Sequence, residues 1–148
     1  MSWTIVLQAV ALAGSGQCLQ DAPRTLADII AADNQVDLDR VMQFYTADVV
    51  WLPPARPALR GLAAIRQSYA AMYSEFRPHL TSTADETKVG DGVARVVGTT
   101  GGWLEPRAGG SNRQVTDGYE AVLLCESGAW KVSSLRWWPR QNSAAPAK

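Results

Sequence analysis

Two side chains of this 148-residue chain are candidates for proton transfer, Asp117 and His79. Asp117 alternates with Tyr119 and with apolar residues in a predicted strand, so one strand face carries a carboxyl group among apolar side chains. Burial raises the pKa of a carboxyl group, and a raised pKa suits a general base. The alternative is that Asp117 lies close to a hairpin end and is solvated.

His79 is the only histidine, and it follows Pro78 at a predicted corner between a helix and a strand. Imidazole titrates near neutral pH, so His79 is the second candidate for a proton carrier. The alternative is a solvated or structural corner residue. No serine, cysteine or second carboxylate lies at a spacing that predicts a triad. With one histidine and no CxxC pair, the sequence predicts no metal site and no cofactor.

Aromatic residues are the candidates for ligand binding, since the chain has six tryptophans and four tyrosines. Aromatic rings are large and rigid, and they suit ligand pockets as well as cores. Trp137 and Trp138 must point to opposite faces of the last strand. We expect a ligand pocket formed by Trp51, Tyr69, Met72, Tyr73, Trp103, Tyr119 and Trp137. The alternative for these residues is core packing without a ligand.

The central part of the chain predicts a strand, a proline-rich bend and a helix. Residues 49–52 are β-branched and aromatic, which is typical of a strand, and Pro53 and Pro54 end it. In residues 62–76 apolar side chains recur every three or four positions, which predicts an amphipathic helix. Pro78 is expected to end this helix.

Two shorter helices are predicted before that strand. Thr25 and Asp28 have capping-box spacing, and an apolar stripe at helical spacing starts at Leu26. Asp37 is the predicted N-cap of the second helix, whose stripe extends to Tyr45. Both helices are therefore expected to pack one apolar face against the sheet.

The second half of the chain alternates with a period of two, which predicts strands. Four are expected, over residues 80–89, 93–104, 114–125 and 130–138. Asp91-Gly92 and Ser127-Gly128 predict tight turns, and glycines such as Gly98 inside a strand indicate strong sheet curvature. Helices first and hairpin-linked strands last predict the α+β class with an antiparallel sheet.

The chain length favours one domain, which we place at residues 21–139, followed by a tail at 140–148 that is expected to be disordered. Residues 1–20 are interpreted as a signal peptide or an N-terminal extension, with a cleavage site after residue 13. Their apolar run is too short to span a membrane. With a signal peptide the protein would be periplasmic or secreted, and otherwise cytoplasmic.

Charge and cysteine content limit the partners. Fourteen basic residues balance fourteen acidic ones, and no basic block predicts nucleic-acid binding. Cys18 and Cys125 do not predict a disulfide framework, and Cys125 is interpreted as a small buried apolar residue. Gln17 is bulky for the position before a lipid-modified cysteine, which argues against lipidation of Cys18.

The order of three segments carries a family resemblance: VDLDRVMQFYTADVVWLPP, LRGLAAIRQSYAAM and QVTDGYEAVLLCESGAWKVSSLRWW. Across about residues 25–138 the chain resembles the nuclear transport factor 2-like superfamily, in its ketosteroid-isomerase-like and SnoaL-like branches, which include many bacterial proteins. The resemblance implies a cone-shaped, strongly curved antiparallel sheet wrapped around a long helix, with two further N-terminal helices. It also implies a homodimer formed through the outer sheet face. These motifs are specific for fold and not for chemistry.

The same resemblance argues against ketosteroid isomerisation. That reaction needs a carboxylate base and donors that hold the oxyanion. The resemblance places the base at Pro53 and the donor tyrosine at Ile29, and neither side chain can serve. A shifted register, or a base from another strand, is the alternative.

We therefore expect binding of, or modest chemistry on, a small apolar organic molecule in an aromatic-lined internal pocket. The first alternative is an isomerase or a polyketide-cyclase-like enzyme in which Asp117 or His79 carries the proton. The second is a non-catalytic dimeric interaction domain whose cavity is filled by its own side chains.

Overall fold

A computed structural model describes residues 17–140 and shows three helices on one face of a curved sheet. The predicted α+β class with a strongly curved sheet is confirmed. The predicted leader (1–20) and tail (140–148) lie mostly outside the described residues. The elements in chain order are α1 (Ala22–Asn34), α2 (Leu38–Met42), β1 (Tyr45–Leu52), β2 (Leu59–Arg60), α3 (Leu62–Glu75), β3 (Phe76–Gly90), β4 (Val93–Pro106), β5 (Arg113–Glu126) and β6 (Ala129–Pro139).

The sheet has the strand order β2-β1-β6-β5-β4-β3 and is not closed. The four long strands β3 to β6 pair antiparallel with their neighbours, as predicted from the hairpin signals. β1 is the exception, because it pairs antiparallel with β2 but parallel with β6. The last strand, β6, therefore lies beside β1, and this pairing brings Trp137 close to Trp51.

Both predicted turns form as two-residue hairpin connections. Asp91 and Gly92 have φ angles of 49° and 74°, and Ser127 and Gly128 have 51° and 81°. Positive φ at both central residues gives the backbone twist that matches two antiparallel strands. The two turns therefore fix the pairing of β3 with β4 and of β5 with β6.

The pairing of β3 with β4 contains an irregularity. The pairing register shifts between Ala84 and Glu86, which marks a bulge. On β4, a Cβ atom added to Gly98 would lie 1.9 Å from the carbonyl oxygen of Thr83 and 2.5 Å from the Tyr119 hydroxyl. Only glycine permits this close approach, so a side chain at position 98 would have to displace Thr83 or Tyr119.

Of the two predicted helix caps, one is wrong and one is confirmed. α1 begins at Ala22, with Pro23 in its first turn, so Thr25 lies inside the helix and is not its N-cap. The Thr25 hydroxyl instead donates to the carbonyl oxygen of Trp130. The predicted cap of α2 is confirmed, since the Asp37 side chain accepts from the backbone N–H of Arg40 at 3.1 Å.

Tyr45 was wrongly placed in the second helix. The structure ends α2 at Met42, and Tyr45 is the first residue of β1. The amide N–H of Val132 donates to the carbonyl oxygen of Phe44, so pairing with β6 starts at this point and competes with helix continuation. The Tyr45 side chain is buried.

The core lies between the helices and the face of the sheet that they cover, here called the concave face. Burial of a large aliphatic side chain contributes about 1.5–3 kcal/mol, so such residues supply the main drive for folding. Side chains with almost no exposed surface include Val41, Val49, Ile65, Val96, Leu123 and Val132. The opposite, convex face carries exposed rings, with Trp103 40% and Trp138 37% accessible. Trp137 and Trp138 therefore do point to opposite faces.

A disulfide joins Cys18 to Cys125, across 107 residues of sequence. The interpretation of Cys125 as an unpaired apolar residue was therefore wrong. The segment before α1 lies against the β5–β6 hairpin, where the Trp130 indole N–H donates to the carbonyl oxygen of Gln20 at 2.9 Å. This docking brings the two sulfur atoms together, and no spacing rule in the sequence reports it. In the described part of the chain, no helix is long and apolar enough to cross a membrane.

Candidate functional site

Five aromatic rings meet on the concave face, and we call Tyr45, Trp51, Tyr69, Tyr73 and Trp137 the aromatic cluster. Trp51 lies at its centre, with ring centroids 5.1 Å from Tyr69, 5.3 Å from Trp137 and 6.0 Å from Tyr45. All three contacts are edge-to-face, the arrangement that the ring quadrupoles favour. β1, β6 and α3 position these rings, so the cluster joins the sheet to the long helix.

Two buried phenols lie side by side within the aromatic cluster. The hydroxyl oxygens of Tyr45 and Tyr69 are 2.7 Å apart, and either can donate to the other. Burial raises the pKa of both side chains well above the ordinary tyrosine value, because water is not available to stabilise a phenolate. Both hydroxyls are therefore neutral, polar groups at working pH.

A buried carboxyl group stands next to these phenols. Asp33 is 5% exposed, and its Oδ1 accepts a 2.7 Å hydrogen bond from the Tyr73 hydroxyl. Burial raises the pKa of Asp33 to about 6, although the hydrogen bond from Tyr73 acts in the opposite direction. The carboxyl group can therefore gain or lose a proton close to neutral pH, which is a property of general bases.

Asp33 and Tyr45 were not among the predicted site residues, but a signal for Asp33 exists in the sequence. The stripe of α1 runs through Leu26 and Ile29, and one further step of four residues reaches Asp33. A carboxylate on the apolar stripe of a helix must either be paired or have a shifted pKa. Asp33 shows both features.

The indole nitrogen of Trp51 is fully buried. Its N–H interacts with the Tyr45 hydroxyl strongly enough to act against the raised pKa of that phenol, but it makes no hydrogen bond of good geometry within the described residues. A buried donor left without an acceptor costs about 1–3 kcal/mol. In native proteins such a donor calls for a specific explanation, such as a bound water or a ligand oxygen. Thr46, on the same strand, has a buried hydroxyl in the same situation.

The structure brings four of the seven predicted pocket residues into the aromatic cluster, namely Trp51, Tyr69, Tyr73 and Trp137. Met72 is partly buried and packs against the core.

Two predicted pocket residues lie elsewhere. Tyr119 is opposite Trp137 in the pairing of β5 with β6, but its hydroxyl donates to the carbonyl oxygen of Thr83 at 2.8 Å. Trp103 lies on the convex face, outside the aromatic cluster.

The two predicted proton carriers lie on different faces of the sheet. His79 is on the convex face, where its ring stacks on Trp103 at 5.1 Å and its Nε2 is 2.8 Å from Glu105 Oε2. Asp117 is on the concave face, opposite Thr100 on β4. Partial burial raises the pKa of Asp117, and the nearby Arg113 limits this effect. Asp117 is therefore the better candidate for a general base, because it is partly buried on the concave face and His79 lies on the convex face.

A cleft of about 840 Å³ lies between the segment before α1 and β3. Its described lining consists mainly of exposed residues with small or β-branched side chains, including Ala27, Ser82, Thr83, Ala84, Thr87 and Val89, together with the buried rings of Tyr119 and Trp130. The volume is large enough for a small organic molecule. No member of the aromatic cluster is among these lining residues.

Comparison with known proteins agrees with this architecture. The sequence profile of the SnoaL-like domain matches residues 26–130. No curated protein matches the chain in sequence.

Among solved structures with the same fold, three align with this protein over almost the whole length of their own chains. A ketosteroid isomerase-like protein from Erwinia carotovora atroseptica has a TM-score of 0.73 at 20% identity, over 81% of this chain and 94% of that one. A conserved protein from Planctomyces limnophilus has a TM-score of 0.74 at 17% identity, over 80% and 94%. An NTF-2 like protein of unknown function from Shewanella oneidensis has a TM-score of 0.65 at 19% identity, over 78% and 93%.

At such identities these likenesses show the fold alone, and fold does not specify chemistry. The profile match covers more than half of the chain and includes α2, α3 and the first five strands. This protein belongs to the SnoaL-like family, and its fold is that of NTF2-like proteins.

Proposed function

We propose that this protein binds a small, mainly apolar organic molecule that carries one oxygen acceptor, on the concave face beside the aromatic cluster. The observation that carries this proposal is the buried indole N–H of Trp51, which interacts only weakly with the Tyr45 hydroxyl and has no acceptor of good geometry among the described residues. The surrounding rings offer apolar contacts, and a ligand oxygen would give this donor a better aligned hydrogen bond than Tyr45 does. Pockets with this composition fix ligand orientation through a few polar groups.

Access to the donor depends on Trp137. This ring is only partly buried, and it contacts Trp51 edge to face at 5.3 Å. A change of the Trp137 rotamer would uncover the Trp51 ring and allow a ligand ring to take its place. Leu135, also partly buried, lies directly opposite Trp51 in the pairing of β1 with β6 and would form the next part of the wall.

Two probes that share a naphthalene ring and a two-carbon side chain test the hydrogen bond. 2-Acetylnaphthalene has a carbonyl oxygen, whereas 2-ethylnaphthalene does not. We expect the ketone to bind more tightly to the native protein in ligand-observed NMR titrations. In Trp51→Phe an aromatic ring is kept and the donor is lost, so ketone affinity should fall about fivefold, because one neutral hydrogen bond contributes about 1 kcal/mol. The affinity for 2-ethylnaphthalene should change much less.

The matched control is Trp138→Phe, which alters a ring on the convex face and should leave both affinities unchanged. If the two probes bind equally and Trp51→Phe alters neither affinity, the donor is not a ligand contact. If neither probe binds, the aromatic cluster serves as core packing and holds no ligand.

The cleft beside β3 is the competing location for a small molecule. Thr87→Trp would place a large ring among its lining residues without touching the aromatic cluster. We expect probe binding to survive this substitution and to be strengthened by Trp137→Ala, which removes the ring that the ligand must displace. Loss of binding in Thr87→Trp together with unchanged binding in Trp137→Ala would move the ligand site to the cleft.

A proton-transfer activity is the second candidate function, and the observation that favours it is the Asp33–Tyr73 pair. A carboxyl group with a pKa of about 6 can accept a proton from carbon next to a carbonyl group, while neutral phenols stabilise the developing oxyanion. Asp117 remains the alternative base on the same face.

The ketone probe tests this activity directly. In heavy water the methyl protons of 2-acetylnaphthalene should exchange faster in the presence of the protein, with a rate that rises as the pH passes through about 6. Asp33→Asn should remove the acceleration, and Asp117→Asn should not. If only Asp117→Asn loses the acceleration of proton exchange, the base is Asp117. If the native protein does not accelerate exchange, the protein binds the ketone without catalysis.

We propose that the protein also forms a homodimer through the convex face. Exposed apolar side chains on this face include Leu52 at 42%, Val93 at 42%, Trp103 at 40% and Trp138 at 37%. Exposed aromatic rings that share one sheet face favour a protein interface. The ion pair between Arg95 and Glu120, 2.9 Å long, lies on this face as well.

A further inference from the structure

The segment that leads into α1 is held by specific bonds and not by apolar burial. Leu19 is 94% exposed, so its side chain contributes nothing to docking. The segment is instead held by the disulfide from Cys18 to Cys125 and by the hydrogen bond from the Trp130 indole to Gln20. Cys18 is therefore part of the folded domain.

We propose that the protein matures in an oxidising compartment with Cys18 retained, where this cysteine is a disulfide partner and not a lipid attachment site. Structural disulfides persist in the periplasm and outside the cell and are rare in a reducing cytosol. The sequence contains two cysteines in all, so the pair has no competing partner within the chain. The expected site of leader removal, after residue 13, would leave both cysteines in the mature protein.

Formation of the bond is a balanced two-electron oxidation. The thiols of Cys18 and Cys125 together lose two protons and two electrons, and one S–S bond forms. The electron acceptor is the disulfide of a thiol oxidoreductase, which is reduced to two thiols through a mixed-disulfide intermediate. An oxidising compartment supplies such an acceptor.

Lipidation and disulfide formation exclude one another at Cys18, because each uses the same sulfur atom. A lipid thioether at Cys18 would leave the Cys125 thiol without its partner. It would also tether a membrane anchor next to Gln20, which the Trp130 indole holds against the β5–β6 hairpin. The geometry therefore assigns Cys18 to the fold.

The test uses the full chain expressed in a bacterium with its own N-terminal segment. Cell fractions are alkylated with iodoacetamide under denaturing conditions, before and after reduction, and intact masses are measured. We expect mature protein in the periplasmic or secreted fraction, with no label before reduction and two labels after it. The mature mass should include Cys18 and no lipid.

Three results would overturn the proposal: two labelled thiols before reduction, a lipid mass on Cys18, or a mature chain that starts after Cys18. Cys18→Ser is the control, since it should be exported to the same fraction and carry one label, on Cys125. If that variant fails to fold, the labelling pattern of the native protein still decides the question. Reduction of the native protein should lower its Tm by roughly 10 °C.

Discussion

The Tyr73 hydroxyl donates a 2.7 Å hydrogen bond to Asp33 and so joins the long helix α3 to the C-terminal end of α1. Both side chains are buried, at 6% and 5% exposure. A contact between two helices therefore depends on the charge of one carboxyl group. The aromatic cluster next to this contact responds to the same charge, because ionised Asp33 further raises the pKa of Tyr45 and Tyr69.

Asp33→Asn should change how stability depends on pH. The pKa of Asp33 is about 6 in the folded protein against 3.8 for an ordinary Asp, so folding favours the protonated form. The contribution of the protonated Asp33 carboxyl group to the free energy of unfolding is fully present below pH 3.8. It is lost as the pH rises through about 6. Since one pKa unit corresponds to about 1.4 kcal/mol, the native protein loses about 3 kcal/mol over this range.

Asparagine still accepts from Tyr73 and cannot ionise. Urea unfolding at pH 4, 5, 6 and 7 should therefore show Asp33→Asn gaining up to about 3 kcal/mol relative to the native protein as the pH rises. Parallel stability curves for the two proteins would contradict the buried-carboxylate interpretation.

Tyr73→Phe should raise the pKa of Asp33 further, because it removes the donor that stabilises the charged form. At pH 7 we expect a loss of about 1–3 kcal/mol, since an ionised carboxyl group is left without its partner. Carboxyl chemical shifts of Asp33 followed by NMR measure the pKa. Tyr69→Phe is the control, because its partner Tyr45 is neutral and the cost of that change should not depend on pH.

Gly98→Ala should disrupt the bend between β3 and β4. The added Cβ would lie 1.9 Å from the Thr83 carbonyl oxygen, so the backbone of the edge strand must move. Overpacking of this kind costs about 1–3 kcal/mol or more, and thermal unfolding measures it. Gly90→Ala is the matched control, because no atom lies within 4 Å of a Cβ at that position. Equal Tm values for the two variants would contradict the close approach.

Replacement of both cysteines by serine should destabilise the domain by about 2–5 kcal/mol, since the bond closes a loop across 107 residues. Denaturant unfolding of the double variant measures the loss. Native protein treated with a reductant should show the same loss, which separates the effect of the bond from that of the serine side chains. A loss below about 0.5 kcal/mol in both experiments would show that Trp130 and Gln20 suffice to hold the segment.

Trp138→Lys should dissociate the proposed dimer, because it places a charge where an apolar ring would be covered. Light scattering after size exclusion should report a dimer for the native protein and a monomer for the variant. Leu19→Lys is the control, since Leu19 is even more exposed but lies away from the convex face. A native monomer, or a variant that remains dimeric, would exclude this interface.

The sequence predicted the elements whose signals are local. The helix α3 and both hairpin turns were correct, because side-chain spacing and a Gly in each turn dictate backbone conformation directly. The boundary of α2 was wrong at Tyr45, where pairing with β6 overrides the helical stripe. The parallel pairing of β1 with β6 has no local signal either, because its partners lie about 85 residues apart.

The candidate site was less predictable than the fold. The sequence identified Trp51, Tyr69, Tyr73 and Trp137 by residue type, and the structure brings these rings together. Asp33 was missed although it lies on the stripe of α1, because one carboxylate on a helix is usually solvated. Its partner becomes visible only when α1 and α3 are packed together.

The covalent link between Cys18 and Cys125 encloses nearly the whole domain in a ring. A protease that cuts one exposed peptide bond inside this ring, for example in the connection between β4 and β5, does not release a fragment. The two pieces stay covalently attached. A nicked molecule would therefore still migrate as one species in gel electrophoresis until its disulfide is reduced. In any compartment rich in peptidases, such a link would therefore keep a cleaved chain in one piece.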